Sequence, residues 1–266
     1  MNKQEILNYY KEDDRLLIAK VFDKIEITEK RNKITNTDFL DLHQKNIVQK
    51  LLNTIQYENY LFFGGDENSE RTVLIIYPTK FNKEIVEKNY NNIMQIIEII
   101  LPNDLQGKYS HRDYLGGLMK LGIRREKIGD IIVFNEGANI IVLNEIVKFV
   151  KDNISSLTRF SKANIQTKQI QELYKQEIKK IEEEIVVSSL RLDNVVSELA
   201  KMSRTKAEEI ISSGRVFLNF ENITKLSKLI KPEDILTIRG KGRFKIKEIL
   251  GNTKKGKIIV LIEKFV

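Results

Sequence analysis

The chain has 266 residues, of which 41% are hydrophobic, so it is long enough and apolar enough to fill the cores of two or three domains. It contains no cysteine, which excludes disulfides, a cysteine-based zinc site and a thiolate nucleophile. Its net charge of +8 lies entirely in the last third, because residues 188–266 carry 17 Lys and Arg against 9 Asp and Glu, whereas residues 1–187 carry 28 of each.

A basic segment beside a neutral one indicates a polyanion partner, of which nucleic acid is the commonest. The first 14 residues have no continuous apolar run of the kind that a secretory signal requires. The longest apolar-rich segment, Ile93–Leu101, contains Gln95 and Glu98 and is far shorter than the ~20 residues of a membrane helix. We therefore expect a cytoplasmic protein that does not enter a membrane.

The N-terminal residues predict two helices followed by a hairpin. Apolar residues at three- and four-residue steps predict a helix over residues 3–28. Thr37 is expected to cap a second helix, whose apolar stripe runs from Leu42 to Ile55. The strands predicted next are Tyr60–Phe63 and Val73–Tyr77, joined by the polar, glycine-led loop Gly64–Arg71. These elements predict an N-terminal helical and hairpin domain over residues 1–80.

The central residues predict the order β-α-β-β-α-β, which is the split βαβ arrangement of ferredoxin-like and RNA-recognition domains. In chain order, we predict a strand at Ile93–Leu101, a helix from Ser110 ended by Gly122, strands at Asp130–Phe134 and Asn139–Leu143, a helix from Asn144, and a weak strand over Leu157–Ile165. The polar residues 166–184 predict a helical or partly ordered connector, with Glu182, Glu183 and Glu184 on a solvated face. We place this domain at residues 81–180, and topology alone says little about its function.

The basic residues 181–266 predict a third domain that opens with two short helices. Ser188 or Ser189 is expected to cap the first helix, which leaves Arg191 on its outer face. Ser203 is expected to cap the second helix, which runs from Arg204 to Ser213 and ends at Gly214. A helix N-terminus with guanidinium and ammonium groups beside it is suited to bind phosphate. The strands predicted after it are Arg215–Asn219, Ile235–Arg239 and Phe244–Leu250.

Several short motifs carry a resemblance to a known family. In the C-terminal third they are Arg191-Leu-Asp193, Ser203-Arg204, Gly214-Arg215-Val216, Leu218-Asn219 and Asp234-Ile-Leu-Thr-Ile-Arg-Gly240, and together they resemble the S4-like RNA-binding domain. Upstream, the segment from His111 to Asp130 and the loop Gly64–Arg71 are similar to those of YlmH-type proteins, whose S4-like domain is C-terminal. The resemblance covers nearly the whole chain.

This resemblance implies an α+β protein with a central split βαβ (RRM-like, ferredoxin-like) domain and a C-terminal S4-like domain. It also implies an RNA-binding factor of bacterial ribosome-associated quality control. Such a factor docks on the large ribosomal subunit, contacts ribosomal RNA and peptidyl-tRNA, and assists template-free tailing of stalled nascent chains together with other quality-control factors. We accordingly expect a monomer with no catalytic activity, no cofactor and no metal.

The candidate RNA-binding residues form three sets. The resemblance, carried over by position, implies Arg191, Ser203, Arg204, Lys206 and Arg215. The loop between two predicted strands adds Arg239, Lys241 and Arg243, which we interpret as a flexible basic loop. A second basic patch is predicted around Arg112, Arg124 and Arg125, with Lys108, Lys120 and Lys127 nearby. The sequence departs from the family at two positions, since Phe220 stands where Gly is common and Gly117 stands where Ala is usual.

Other interpretations of the sequence remain open or are disfavoured. His111-Arg-Asp113 matches part of a kinase catalytic loop, but Leu118 stands where that loop needs a metal-binding Asn. The segment Gly251–Lys257 lacks the Ser or Thr of a P-loop and predicts a basic hairpin turn. Two histidines give no His-rich metal site. An RNA-modifying enzyme of the pseudouridine synthase or methyltransferase type, and a cell-division scaffold with incidental RNA binding, remain alternatives.

Overall fold

A computed structural model describes residues 3–10, 12–67, 69–174 and 180–265 of the chain. It divides into two compact units, Met1–Gln176 and Glu177–Val266. Each unit mixes helices with antiparallel sheets, so the predicted α+β class is confirmed. The domain boundary expected near residue 80 stays a prediction. Both sheets of the first unit lie within one compact unit.

The first helical segment is two helices rather than the single one predicted over residues 3–28. Helix α1 spans Lys3–Asn8 and helix α2 spans Glu12–Arg31. The guanidinium of Arg15 donates to the carbonyl of Leu7 at 3.1 Å and to that of Tyr10 at 3.4 Å. These bonds tie the first turn of α2 to the end of α1, while the apolar periodicity continues through both helices.

The second predicted helix begins later than expected and has a different cap. Strand β1 spans Thr35–Asn36, and helix α3 spans Leu42–Thr54. Asp41 caps α3 in a capping box, in which its carboxylate accepts from the Gln44 N–H at 2.9 Å and the Gln44 side chain accepts from the Asp41 N–H at 3.0 Å. Thr37 is not a cap, because its hydroxyl instead accepts from the Leu74 N–H at 3.0 Å.

The hairpin strands lie where the sequence predicts them. Strand β2 spans Tyr60–Phe63 and strand β3 spans Val73–Ile76, and the sheet order is β1-β3-β2. The loop between β2 and β3 is held by Asp130, whose carboxylate accepts from the Glu70 N–H at 2.8 Å and the Arg71 N–H at 3.1 Å. Burial, the largest cause, raises the pKa of Asp130 to about 6.

The central part of the first unit has the predicted β-α-β-β-α-β order. Two short helices precede it, α4 (Lys83–Lys88) and α5 (Tyr90–Ile93). Its elements are then, in chain order, β4 (Met94–Ile100), α6 (His111–Lys120), β5 (Ile128–Phe134), β6 (Gly137–Leu143), α7 (Asn144–Asn153) and β7 (Asn164–Lys168). The sheet order is β5-β6-β4-β7 with every pair antiparallel, which is the ferredoxin-like arrangement. The weak strand predicted over Leu157–Ile165 is wrong in its first half, because Thr158–Phe160 is a 3₁₀ turn.

The packing of helix α6 explains why glycine stands at residue 117. Ser110 opens the helix, with its N–H and its hydroxyl each 2.8 Å from the Asp113 carboxylate, and Gly122 follows the helix end with φ of +78°. Gly117 lies against the ring of Phe160, which is fully buried. A Cβ on residue 117 would lie 2.4 Å from the Phe160 ring, so Gly at 117 and Phe at 160 depend on each other.

The second unit is one sheet with two helices on it. Its elements are, in chain order, β8 (Lys180–Val187), α8 (Leu192–Leu199), α9 (Arg204–Ser212), β9 (Val216–Leu218), β10 (Glu221–Asn222), β11 (Ile235–Ile238), β12 (Gly242–Asn252) and β13 (Ile258–Phe265). The sheet order is β10-β9-β11-β12-β13-β8. Apolar residues of α8 and α9 pack on one face of this sheet and form its core.

Two expectations for this unit were wrong. The acidic run Glu182–Glu184 is part of strand β8 and pairs with β13, although the sequence predicted a connector there. The alternation of apolar and polar residues that is typical of a strand was difficult to recognise, because Ile185 and Val187 are the only residues of β8 that are buried in the core. Residues 175–179 of that predicted connector lie outside the described residues. Arg191, not Ser188 or Ser189, holds the N-cap position of α8.

Candidate nucleic-acid interface

Helix α9 begins where the sequence predicts it, with Ser203 as its cap. Ser203 is the N-cap, and its hydroxyl accepts from the Lys206 N–H at 3.3 Å. The remaining first-turn N–H groups point away from the helix and have no helical acceptor, and the helix dipole adds positive potential there. Because Arg204, Thr205 and Lys206 are exposed in this turn, a phosphate can approach the backbone and two cationic side chains together.

A buried carboxylate ties the two helices of this surface together. Asp193, in the first turn of α8, is fully buried, while the Arg191 and Arg204 side chains are 38% and 53% exposed. Arg191 donates to the two carboxylate oxygens at 3.1 and 2.9 Å, and Arg204 donates to Oδ2 at 3.1 and 2.6 Å. One anion therefore positions two guanidinium groups at the surface, where each keeps part of its edge open to solvent.

The protonation of this carboxylate follows from the same contacts. The hydrogen bond from Arg191 is the largest cause, and Arg204 adds to it, so the pKa of Asp193 falls to about 2 although burial acts in the opposite direction. Asp193 is consequently ionised at any physiological pH and leaves the pair with one net positive charge. The sequence motif contained this residue, but its role depends on a contact between residues 11 apart and could not be predicted from the motif.

Lys206 is the cation of this surface that is most available to a ligand. Arg204 has a second partner, since its Nε lies 3.3 Å from the Glu208 carboxylate. Among the residues that the structure describes, no carboxylate pairs with the Lys206 ammonium. We call the surface formed by Arg191, Ser203, Arg204 and Lys206 the helix-pair surface.

The four remaining predicted residues of the S4-like region lie at one end of the sheet. Arg215 follows α9 and donates to the Arg239 carbonyl at 3.4 Å. Arg239 and Lys241 are exposed in the tight turn between β11 and β12, and Arg243 is the second residue of β12. The segment from Arg239 to Arg243 is thus the hairpin connection between β11 and β12, and its interpretation as a flexible basic loop stays a prediction.

The turn at Phe220 keeps the backbone shape that a glycine would give. Asn219 and Phe220 form a two-residue hairpin loop with φ of +50° and +69°, as a type I′ turn requires. The Asn219 side chain donates to Asp234 at 2.8 Å and accepts from the Ile235 N–H at 2.9 Å. These bonds hold the loop against the start of β11, so the bulky residue is forced into a conformation that Phe disfavours.

The basic patch predicted in the first unit is divided between exposed and internal residues. Arg112 is exposed at the start of α6, and Arg124 is exposed with Glu126 at 3.4 Å. Arg125 is turned inward, where it donates to the carbonyls of Ile128 at 2.6 Å and Gly129 at 3.2 Å. Lys127 is only 16% exposed and bridges Asp38 and Glu145 at 2.5 and 2.6 Å. Burial, the largest cause, lowers the pKa of Arg125 to about 10.

The central sheet cannot bind RNA in the manner of an RNA-recognition module. Such modules stack bases on the open face of the sheet, opposite the helices. Here that face, which includes Met94, Ile96 and Ile141, packs against Val73 and Ile75 of strand β3 in one buried cluster. The ferredoxin-like topology is therefore present while its usual base-stacking face is part of the core.

Neither a metal-binding cluster nor a membrane-spanning helix is present among the described residues. No group of three or more His, Cys, Asp or Glu side chains within the described ranges could hold a metal ion. No helix in the described part of the chain is both long and apolar enough to span a bilayer.

The segment Gly251–Lys257 joins β12 to β13, so its interpretation as a basic hairpin turn is confirmed.

Two family models match segments of this chain. Residues 86–173 match a family model described as "Putative RNA-binding domain in YlmH", and residues 190–236 match the S4 domain model. A relative from Bacillus subtilis (strain 168), named ribosome-associated protein quality control protein P2, is 29% identical over 263 residues and spans 98% of each chain. The resemblance to YlmH-type proteins is confirmed.

One solved structure is also similar. The cell division protein ylmH from Streptococcus pneumoniae is 21% identical and aligns with a TM-score of 0.48, covering 62% of this chain and 97% of that chain. The S4 match contains the helix-pair surface but ends before Arg239, Lys241 and Arg243. The YlmH match contains Arg112, Arg124 and Arg125.

Proposed function

Because the chain carries a YlmH-type RNA-binding domain followed by an S4 domain, we propose that it is an RNA-binding factor that docks on the large ribosomal subunit. It contacts ribosomal RNA and peptidyl-tRNA there, in the cytoplasm, and assists template-free tailing of stalled nascent chains. It has no catalytic activity of its own. The name of the Bacillus subtilis relative, at 29% identity over nearly the whole chain, supports this assignment.

The observation that carries the proposal is the helix-pair surface. Asp193 holds Arg191 and Arg204 beside the capped start of α9, so charged donors and free backbone N–H groups meet at one place. Folded RNA presents phosphates in a fixed arrangement, and a preformed surface binds it without paying the entropy of ordering long side chains. Selectivity then comes from the shape of the RNA more than from its base sequence.

The test is sedimentation of the tagged full-length protein through a sucrose gradient of cell lysate. We expect the protein to migrate with large subunits, and we expect Lys206→Glu to release most of it. Lys206 is the best position because its side chain is exposed and pairs with no carboxylate among the described residues, so we expect the fold to be preserved. Lys33→Glu, an exposed lysine of the other unit, changes the charge equally and should not alter migration.

Two results would contradict the proposal. One is a wild-type protein that migrates with neither subunits nor whole ribosomes. The other is equal migration of Lys206→Glu and the wild type, which would remove the helix-pair surface from the interface. Modified nucleotides that disappear from ribosomal RNA in cells lacking the protein would instead indicate an RNA-modifying enzyme.

A further inference from the structure

The outward face of the second unit's sheet carries a row of aromatic and cationic side chains. Strand pairing places them side by side across five strands in the order Phe217, Thr237, Arg243, Phe265 and Lys180. Their neighbours along the strands, such as Val216 and Phe244, belong to the core beneath α8 and α9. Because side chains alternate along a strand, the row lies on the face opposite the two helices.

Cations lie over the rings of this row and of the adjoining turn. The Arg239 guanidinium carbon is 5.0 Å from the centroid of the Phe217 ring, and that of Arg243 is 5.7 Å from the centroid of Phe220. Arg243 also lies 6.0 Å from the Phe265 centroid. These distances are within the range of cation–π interactions, so the arginines are ordered against aromatic surfaces.

An arginine held on a ring is suited to stack with a nucleobase. The guanidinium is planar, and the exposed Arg239 side chain can stack a second flat group on the face that does not meet the Phe217 ring. Arg243 is half-buried between the Phe220 and Phe265 rings and helps to fix this surface. Base stacking on such side chains contributes about 1–3 kcal/mol per base and tolerates any sequence. The bases of a duplex have no free faces, so only unpaired nucleotides fit this surface.

The charged residues of this face limit where a bound RNA strand can lie. At the far end of the row Lys180 is paired with Glu263 at 3.1 Å, and Glu182 beside it is paired with Lys247. At the near end Arg239 and Lys241 are exposed in the turn before β12. The positive potential that attracts phosphate is therefore concentrated at the end with the Phe217 and Phe220 rings.

We propose that this sheet face is a second RNA-binding surface, specific for a short stretch of unpaired nucleotides. The bases stack on the Phe217–Arg239 pair and beside the Phe220 ring, and the phosphates approach Lys241. The inference rests on the proposed function in taking RNA as the ligand. It adds a chemical class, unpaired RNA, and a surface distinct from the helix pair.

The test measures binding of the full-length protein to a single-stranded oligoribonucleotide of about six residues that contains 2-aminopurine. We expect 2-aminopurine fluorescence to change on binding, as it does when that base stacks. Phe217→Leu removes the ring but keeps an apolar side chain, and we expect it to weaken binding about tenfold. Phe217→Tyr keeps the ring and should bind like the wild type, which separates stacking from folding.

The same measurements on a blunt-ended RNA duplex, which has no unpaired nucleotides, distinguish the two proposals. Lys206→Glu should weaken duplex binding and leave the single strand nearly unaffected, while Phe217→Leu should do the reverse. If Phe217→Leu binds the single strand as the wild type does, the inference is wrong while the helix-pair surface still stands. If the wild-type protein binds neither RNA, both fail. Equal competition by polyglutamate would show a general anion surface and would also overturn the inference.

Discussion

Asp193 is the residue on which the geometry of the helix-pair surface depends. Its carboxylate is fully buried and accepts hydrogen bonds from two arginines that come from different helices. Without it, Arg191 and Arg204 would lose their common partner and repel each other. A substitution at Asp193 should therefore affect both the stability of the fold and the affinity for RNA.

We predict that Asp193→Asn lowers the free energy of unfolding by about 1–3 kcal/mol, because charge-assisted bonds in a buried site are replaced by neutral ones. The folded pKa of about 2 lies below the ordinary value of 3.8, so this contribution is present above pH 4 and is lost as the pH falls towards 2. The measurement is urea unfolding of both proteins between pH 7 and pH 2.5. A stability difference independent of pH would contradict the assignment to Asp193 ionisation.

Gly117 makes a second prediction at the scale of one residue. Gly117→Ala places a Cβ 2.4 Å from the ring of Phe160, which is fully buried, so the ring or the helix must shift. We expect a loss of about 1–3 kcal/mol in the free energy of unfolding, as for other overpacked cores. Urea unfolding measures it, and Gly117→Ala combined with Phe160→Leu is the control. The double variant should recover part of the loss, and additive losses would show that the two side chains do not meet.

At the scale of elements, strand β8 is essential to the second unit although it precedes the S4 match, which begins at residue 190. Over its whole length β8 pairs with β13, and Ile185 and Val187 are buried under the helices. Removal of β8 would expose the backbone of β13 along a hydrophobic edge. The family match is therefore shorter than the folding unit.

We predict that a fragment of residues 177–266 folds cooperatively, whereas one of residues 188–266 loses on the order of 3–5 kcal/mol through its two missing apolar side chains. Circular dichroism with thermal unfolding would measure this difference. Gel filtration of the shorter fragment should show association through the bare edge of β13. Equal melting temperatures for the two fragments would show that β8 does not stabilise the sheet.

The elements that the sequence predicted well are those with a local signal. The strand Val73–Ile76 and the capped helix after Ser203 follow from apolar runs and from one polar residue at the right place. The strand that contains Glu182–Glu184 had no such signal, because the residues along its outward face are charged and its pairing partner lies about 80 residues away. The inward orientation of Arg125 could not be predicted either, because the sequence does not distinguish an arginine that binds backbone carbonyls from one that binds RNA.

At the scale of the whole molecule, most of the excess positive charge belongs to the second unit, because residues 177–266 carry 19 Lys and Arg against 13 Asp and Glu, or +6 of the total +8. The sequence predicted this from residues 188–266, and the structure divides the chain nearby, at Glu177. Many of the cations are nevertheless paired internally, as Lys247 is with Glu182 and Lys245 with Glu233. The number of phosphates that the protein neutralises must therefore be smaller than the number of its basic residues.

The dependence of binding on salt measures that number. With about 4–6 phosphate contacts, the logarithm of the association constant for structured RNA should fall with the logarithm of the salt concentration at a slope near −4 to −5. Fluorescence anisotropy between about 50 and 200 mM KCl gives the slope, to which each neutralised phosphate contributes about 0.9 through the counterions that it releases. Lys206→Glu should reduce the slope by about 1, since its ammonium has no carboxylate partner among the described residues and is free to meet a phosphate. Lys33→Glu should leave the slope unchanged, and an affinity independent of salt would exclude electrostatic docking as the mechanism.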